Sequence, residues 1–156
     1  YAESGVAPHP ALQKLIAGRN VYWDENVELL WLQYSSPSYY SCLQGAGLMF
    51  YAATAREYER RGGVLARLNG GGFEKALGAS CAPATTPPRI HEGSLNMVTD
   101  SCEALPELNL LILPRRYPGM PPIASIDVAM MRHRVDGRVR YAPGRVYAYD
   151  CSMSRS

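Results

Sequence analysis

No apolar run in the 156 residues approaches the roughly 18 that a membrane-spanning helix needs. No charged-then-apolar leader opens the chain, and its first residue is Tyr1, so the sequence reads as a piece excised from something longer. Lysine is scarce, 2 against 14 arginines, a skew expected from GC-rich bacterial coding and carrying no functional weight by itself. Charge of one sign is also lacking: a net +2 is too small for bulk attraction to nucleic acid or to a membrane surface. The four cysteines show no C-x-x-C spacing, and His9, His91 and His133 do not flank them at zinc-ligand distances, so a structural metal site is not expected. Four cysteines permit two disulfides in an oxidising compartment, although a domain of this size does not need them.

What is present is a globular composition, 47% hydrophobic and 19% charged, in a length that suits one domain with a real core. A single catalytic domain over residues 1–156 is the expected organisation. Pro10 and Gly18 bracket a helix in HPALQKLIAG whose Leu12, Leu15 and Ile16 share a face. A second helix is expected from Asp24 or Asn26, with Val27, Leu30, Trp31 and Tyr34 at helical spacing. From Cys42 to Ala55 apolar or small residues occur on every side, which predicts a central, buried helix; REYERR is its solvated exit and Gly62-Gly63 its stop. NGGG (69–72) reads as a loop, GFEKALGA as a short helix, and Cys81 to Pro88 as a connector.

The C-terminal half turns to strands. LNLLIL (108–113) suits a buried strand, PRRYPGMPP a loop, and ASIDVAMM (124–131) a second strand. HRVDGRVRY alternates strictly, Ala142-Pro143-Gly144 offers a turn, and RVYAYD (145–150) returns. Helices first and strands after predict an α+β fold with a small antiparallel sheet.

If the Pro143-Gly144 turn closes the hairpin, His133 comes beside the Asp150 region of the adjoining strand. Cys42, at the start of a buried helix, would feel the helix dipole and free N–H groups, both of which favour the thiolate. A nucleophile, a base and an orienting carboxylate would then be assembled. For Cys42 a buried structural thiol and half of a disulfide are the competing readings. A turn at Asp136-Gly137, itself a strong hairpin signal, would instead send His133 and Asp150 to opposite ends.

The pieces SCLQGAGLMFYAA, HRVDGRVRY and RVYAYDCS together resemble the papain-like and transglutaminase-like cysteine-triad superfamily, as does RRGGVLARL after the helix. The resemblance implies Cys42, His133 and Asp150 as the catalytic set, and a bacterial effector or toxin that cleaves, deamidates or crosslinks proteins without a cofactor. It also implies a protein substrate, with a cognate inhibitor or immunity protein as a further partner. Such a domain would be secreted or delivered into a target cell, and would bind neither nucleic acid nor membrane. Papain-like enzymes keep a Gln a few residues before the cysteine as an oxyanion donor; here the nearest upstream is Gln33, nine positions back.

His91-Glu92 offers a rival site, but the zinc deaminase pattern needs H-x-E and paired cysteines, and only Cys102 follows. No set of Arg, Ser-Thr-Ser and Glu residues supports an ADP-ribosyltransferase. The alternative class is a non-catalytic secreted effector domain that binds a host or rival protein through the loops at 69–72 and 114–122.

Overall fold

The computed structural model describes residues 7–23, 26–41, 44, 51–69, 96–135 and 138–155. Helix α1 (Pro10–Ile16) opens on Pro10, whose fixed φ suits the first turn and whose missing N–H would have no helical partner there. Leu12 and Ile16 are buried, and Gly18, at φ 69°, turns the chain into the short strand β1 (Val21–Tyr22). Helix α2 (Val27–Leu32) follows Asn26 and buries Val27, Leu29 and Leu30. Trp31 is exposed, so the inward face is rotated from the one the spacing predicted.

The helix expected to run from Cys42 through Ala55 is not continuous. Tyr51 is extended (φ −141°, ψ 110°), and helix α3 spans Ala52–Leu65, ten residues beyond Cys42. Its first turns are exposed and not central. The stretch read as a solvated exit is the body of the helix, held by Ala, Arg and Glu propensity and by Glu57 ion pairs to Arg60 (i,i+3) and Arg61 (i,i+4). Gly62 does not stop it, because that residue is buried against the core. A 3₁₀ turn, Ala66–Asn69, follows. Residues 70–95, with the predicted helix GFEKALGA, the 81–88 connector and His91-Glu92, lie outside the described residues, as does Cys42.

Helix α4 (Met97–Ala104) leads to β2 (Leu110–Leu113), β3 (Ala124–Val135), β4 (Arg138–Asp150) and a closing 3₁₀ turn, Cys151–Ser154. The strand order is β1-β2-β4-β3. β1 runs parallel to β2 and the other pairs are antiparallel, so the chain is α+β with a mixed sheet where an antiparallel one was expected. All four β2 side chains are buried, and their alternation sends them to two different cores. Leu110 and Ile112 meet Leu12, Ile16, Trp23 and Leu30 on one face. Leu111 and Leu113 meet Leu65, Leu68, Val98 and Tyr149 on the other. Each such side chain contributes about 1.5–3 kcal/mol by leaving water.

The hairpin reverses between Val135 and Arg138, not at Pro143-Gly144. Val135 pairs with Arg138, and β4 continues unbroken through Pro143, which faces Ala129. Pro143 is tolerated because β2 pairs with β4 only over residues 147–150, leaving the outer side of β4 at 143 without a ladder bond to lose. β3 and β4 therefore extend beyond the sheet as a two-stranded ribbon, interrupted by a register shift between Met131 and His133.

The chain's end is fastened to α4. Cys102, buried in α4, is disulfide-bonded to Cys151 just after β4, 49 residues later. Arg155 Nη2 donates to the carbonyls of Cys102 (3.2 Å), Leu105 (3.1 Å) and Leu108 (2.8 Å), satisfying acceptors that the helix end leaves open. Replacing both cysteines (Cys102→Ser with Cys151→Ser) is expected to cost about 2–4 kcal/mol, through the freed loop entropy of the unfolded chain. Denaturant unfolding should show this as a lower midpoint.

Candidate functional site

Of the expected catalytic set, the structure describes His133 and Asp150, and it holds them apart. His133 pairs with Arg140 near the tip of the ribbon, whereas Asp150 pairs with Leu110 at its base. Ten residues of β4 separate those two register positions, roughly 30 Å at the rise of an extended strand. The reversal between Val135 and Arg138 is the physical reason: it places the histidine beside the tip instead of at the open end of the hairpin. Cys42 lies outside the described residues. Its described neighbours are occupied locally: Ser41 N–H donates to Gln44 Oε1 (2.8 Å), and Gln44 Nε2 donates to the Ser38 carbonyl (3.0 Å).

Asp150 has a structural occupation. Its Oδ1 accepts from the Ser152 N–H (2.9 Å) and hydroxyl (2.7 Å), capping the closing 3₁₀ turn. Its Oδ2 accepts from Arg19 Nη1 at 2.9 Å, which ties the segment after α1 to the end of β4. Partial burial pushes the carboxyl up, but the two Ser152 hydrogen bonds and the Arg19 guanidinium outweigh it and hold it below the usual aspartate value. Nothing in this arrangement leaves the carboxylate free to orient an imidazole.

Gln33, the expected oxyanion donor, ends α2, its N–H donating to the Leu29 carbonyl at 2.9 Å. It lines a cavity of about 210 Å³ with Trp23, Tyr34 and the segment Ala7–Pro10 on one side and Asp127–Ala129 of β3 on the other. The His9 N–H donates to the Tyr34 hydroxyl at 3.0 Å, holding the N-terminal segment over the cavity. Asp127 is engaged by Arg145 across the ribbon in a paired contact, Nε to Oδ1 at 2.8 Å and Nη2 to Oδ2 at 3.0 Å. That guanidinium lowers the Asp127 carboxyl, although the exposed pair is screened by water. Such a volume fits a single side chain or a small molecule rather than an extended substrate.

A second polar cluster joins α3 to the loops that flank it. Arg60 Nη2 donates to Glu57 (2.7 Å) and to Glu107 (3.1 Å), and the Tyr39 hydroxyl donates to Glu107 at 3.0 Å. Arg61 stacks over the Tyr39 ring at 4.1 Å and donates to the Tyr39 carbonyl at 2.8 Å. Hydrogen bonds from Arg60 and then Arg61 draw the Glu57 carboxyl down to about 2. Every member has a charge or hydrogen-bond partner, which makes the cluster a clamp. Sequence reading missed it because its parts lie far apart in the chain.

The loop at 114–122, expected to greet a partner, is anchored through Tyr117 and Met120 and leaves Arg116, Pro118, Gly119 and Pro121 exposed. Tyr117 is buried, its N–H donating to the Tyr149 hydroxyl at 2.7 Å and its own hydroxyl donating to the Leu68 carbonyl. Of the other expected contact loop, residues 70–72 lie outside the described residues. Among the described residues no cluster of His, Cys, Asp and Glu is placed to hold a metal ion, and no helix is long and apolar enough to cross a membrane.

No protein-family model matches the chain, and neither a curated protein nor a solved structure matches it. The papain-like and transglutaminase-like resemblance rests on its sequence pieces alone.

Asp150→Ala is expected to lower stability by roughly 1–2 kcal/mol at pH 7, by removing the turn's cap and the partner of Arg19. The folded carboxyl titrates below its unfolded value, so its contribution is complete above about pH 4 and is lost as pH falls through the folded value. Thermal unfolding of the two proteins should therefore differ at pH 7 and converge as the pH falls through the folded value.

Proposed function

We propose that the chain is a non-catalytic domain that works in an oxidising compartment and whose role is to bind another protein, as a secreted or surface-delivered effector segment. One observation carries this reading: the carboxylate required for the amide-attacking triad is spent on Arg19 and Ser152, at the far end of the hairpin from His133. The Cys102–Cys151 disulfide supports the compartment, since reducing cytosols keep such pairs open. Clamped loops and a stapled C-terminus favour a preorganised recognition surface over a mobile active-site lid. A cognate inhibitor or a host protein remains the expected kind of partner.

Amide chemistry through Cys42, His133 and Asp150 is the competing proposal, and it makes an opposite prediction. Iodoacetamide is expected to label no thiol of the native chain at neutral pH, and any thiol on Cys42 should react only in denaturant. Ammonia release from glutamine-rich proteins and cleavage of casein should be no greater for the chain than for Cys42→Ala. A thiol alkylated by iodoacetamide in the native state, with ammonia release or cleavage lost in Cys42→Ala, would overturn the binding reading.

A further inference from the structure

The base of the ribbon joins a core through Ile126, Val128 and Val146, and its strands run on beyond that point. β3 lies at the edge of the sheet, and among the described residues no strand pairs with its outer side. The opposite edge is closed, because Val21 of β1 bridges to Ser38 and accepts a hydrogen bond from the Tyr39 N–H at 2.7 Å. β3 is 12 residues long, about twice the ordinary strand. Natural proteins usually shorten, cover or bend so long an edge, since its open N–H and C=O groups accept further strands. Here the one irregularity is the shift between Met131 and His133.

Charge singles out the same place. Residues 131–141 carry four arginines against Asp136 alone, while the rest of the chain holds twelve basic and thirteen acidic residues. At the base of the ribbon Arg145 and Asp127 neutralise each other, so the positive excess belongs to the distal part. We infer that the β3 edge of the ribbon accepts an extended, acidic segment of a partner protein as an added strand. The inference rests on the protein-binding reading above and deepens it. Main-chain pairing would supply affinity, and the arginines would select carboxylates and speed the encounter. A polypeptide fits better than nucleic acid or an anionic membrane, because an open strand edge matches the amide spacing of another chain, and because the disulfide places the fold where nucleic acid is not the resident polyanion.

The test uses the full chain with fluorescein-labelled peptides of alternating Glu and Val, their Lys and Val counterparts, short duplex DNA, and vesicles containing phosphatidylserine. The Glu-Val peptide is expected to bind at least about tenfold more tightly than the Lys-Val peptide, and less tightly as salt rises. Hydrogen exchange along residues 128–135 should slow on binding. Arg138→Glu with Arg140→Glu should weaken binding at least about tenfold. A second variant, with residues 132–140 replaced by an Asn-Gly turn, should abolish it while unfolding at the temperature of the parent. Equal affinity for both peptides, unchanged exchange in β3, indifference to the variants, or preference for DNA or vesicles would each overturn the inference. If a native protein partner stays bound to the shortened variant, the ribbon proposal fails and the binding reading stands. Cys42-dependent amide chemistry would defeat that reading instead.

Discussion

A four-residue strand with both faces buried sets the terms for everything around it. Leu110 to Leu113 offers no side chain to water, so the sheet must be covered twice, by α1 and α2 over one face and by α3 and α4 over the other. The short β1 is drawn in parallel beside it, and the last four residues of β4 are drawn in antiparallel. Because that central strand is so short, β4 has more than twice the length that β2 can pair. The excess becomes the ribbon. The ribbon thus follows from the brevity of the strand at the sheet's centre.

Charged groups act here as fasteners between distant segments. Arg19 reaches Asp150, Arg60 reaches Glu107, and Arg155 reaches three carbonyls around the end of α4. Several of these contacts are exposed enough that water and salt reduce them to little as ion pairs. Their common effect is positional: they hold loops in register with a core that apolar burial has already formed. The disulfide between Cys102 and Cys151 does the same work covalently, at the one place where the chain's end meets a helix.

Local signals in the sequence were readable wherever one element's pattern met no competitor. Pro10, Gly18 and the spacing of Leu12 and Ile16 marked α1, and the unbroken apolar run marked β2. The order of helices and strands was enough for the α+β class. Where two signals competed, the outcome was decided at long range. Asp136-Gly137 and Pro143-Gly144 are both turn formers, and only the pairing of Ala129 with Pro143 and of Val135 with Arg138 shows that the strands run through the second and reverse beyond it. The catalytic expectation depended on that choice and moved with it. Gly62-Gly63 looked like a helix stop, but packing of Gly62 against the core carried α3 onward. Four cysteines allow three pairings, so their partners were open until coordinates joined 102 to 151.

Pro143 has a consequence for assembly. Lacking an N–H, it cannot take part in a ladder on the side of β4 that β2 vacates, so a foreign strand arriving there would meet a missing donor midway along. The ribbon is therefore one-sided in its capacity for growth: it can be extended across β3 but is sealed along β4. A single proline thereby directs the proposed added strand to β3 and away from β4.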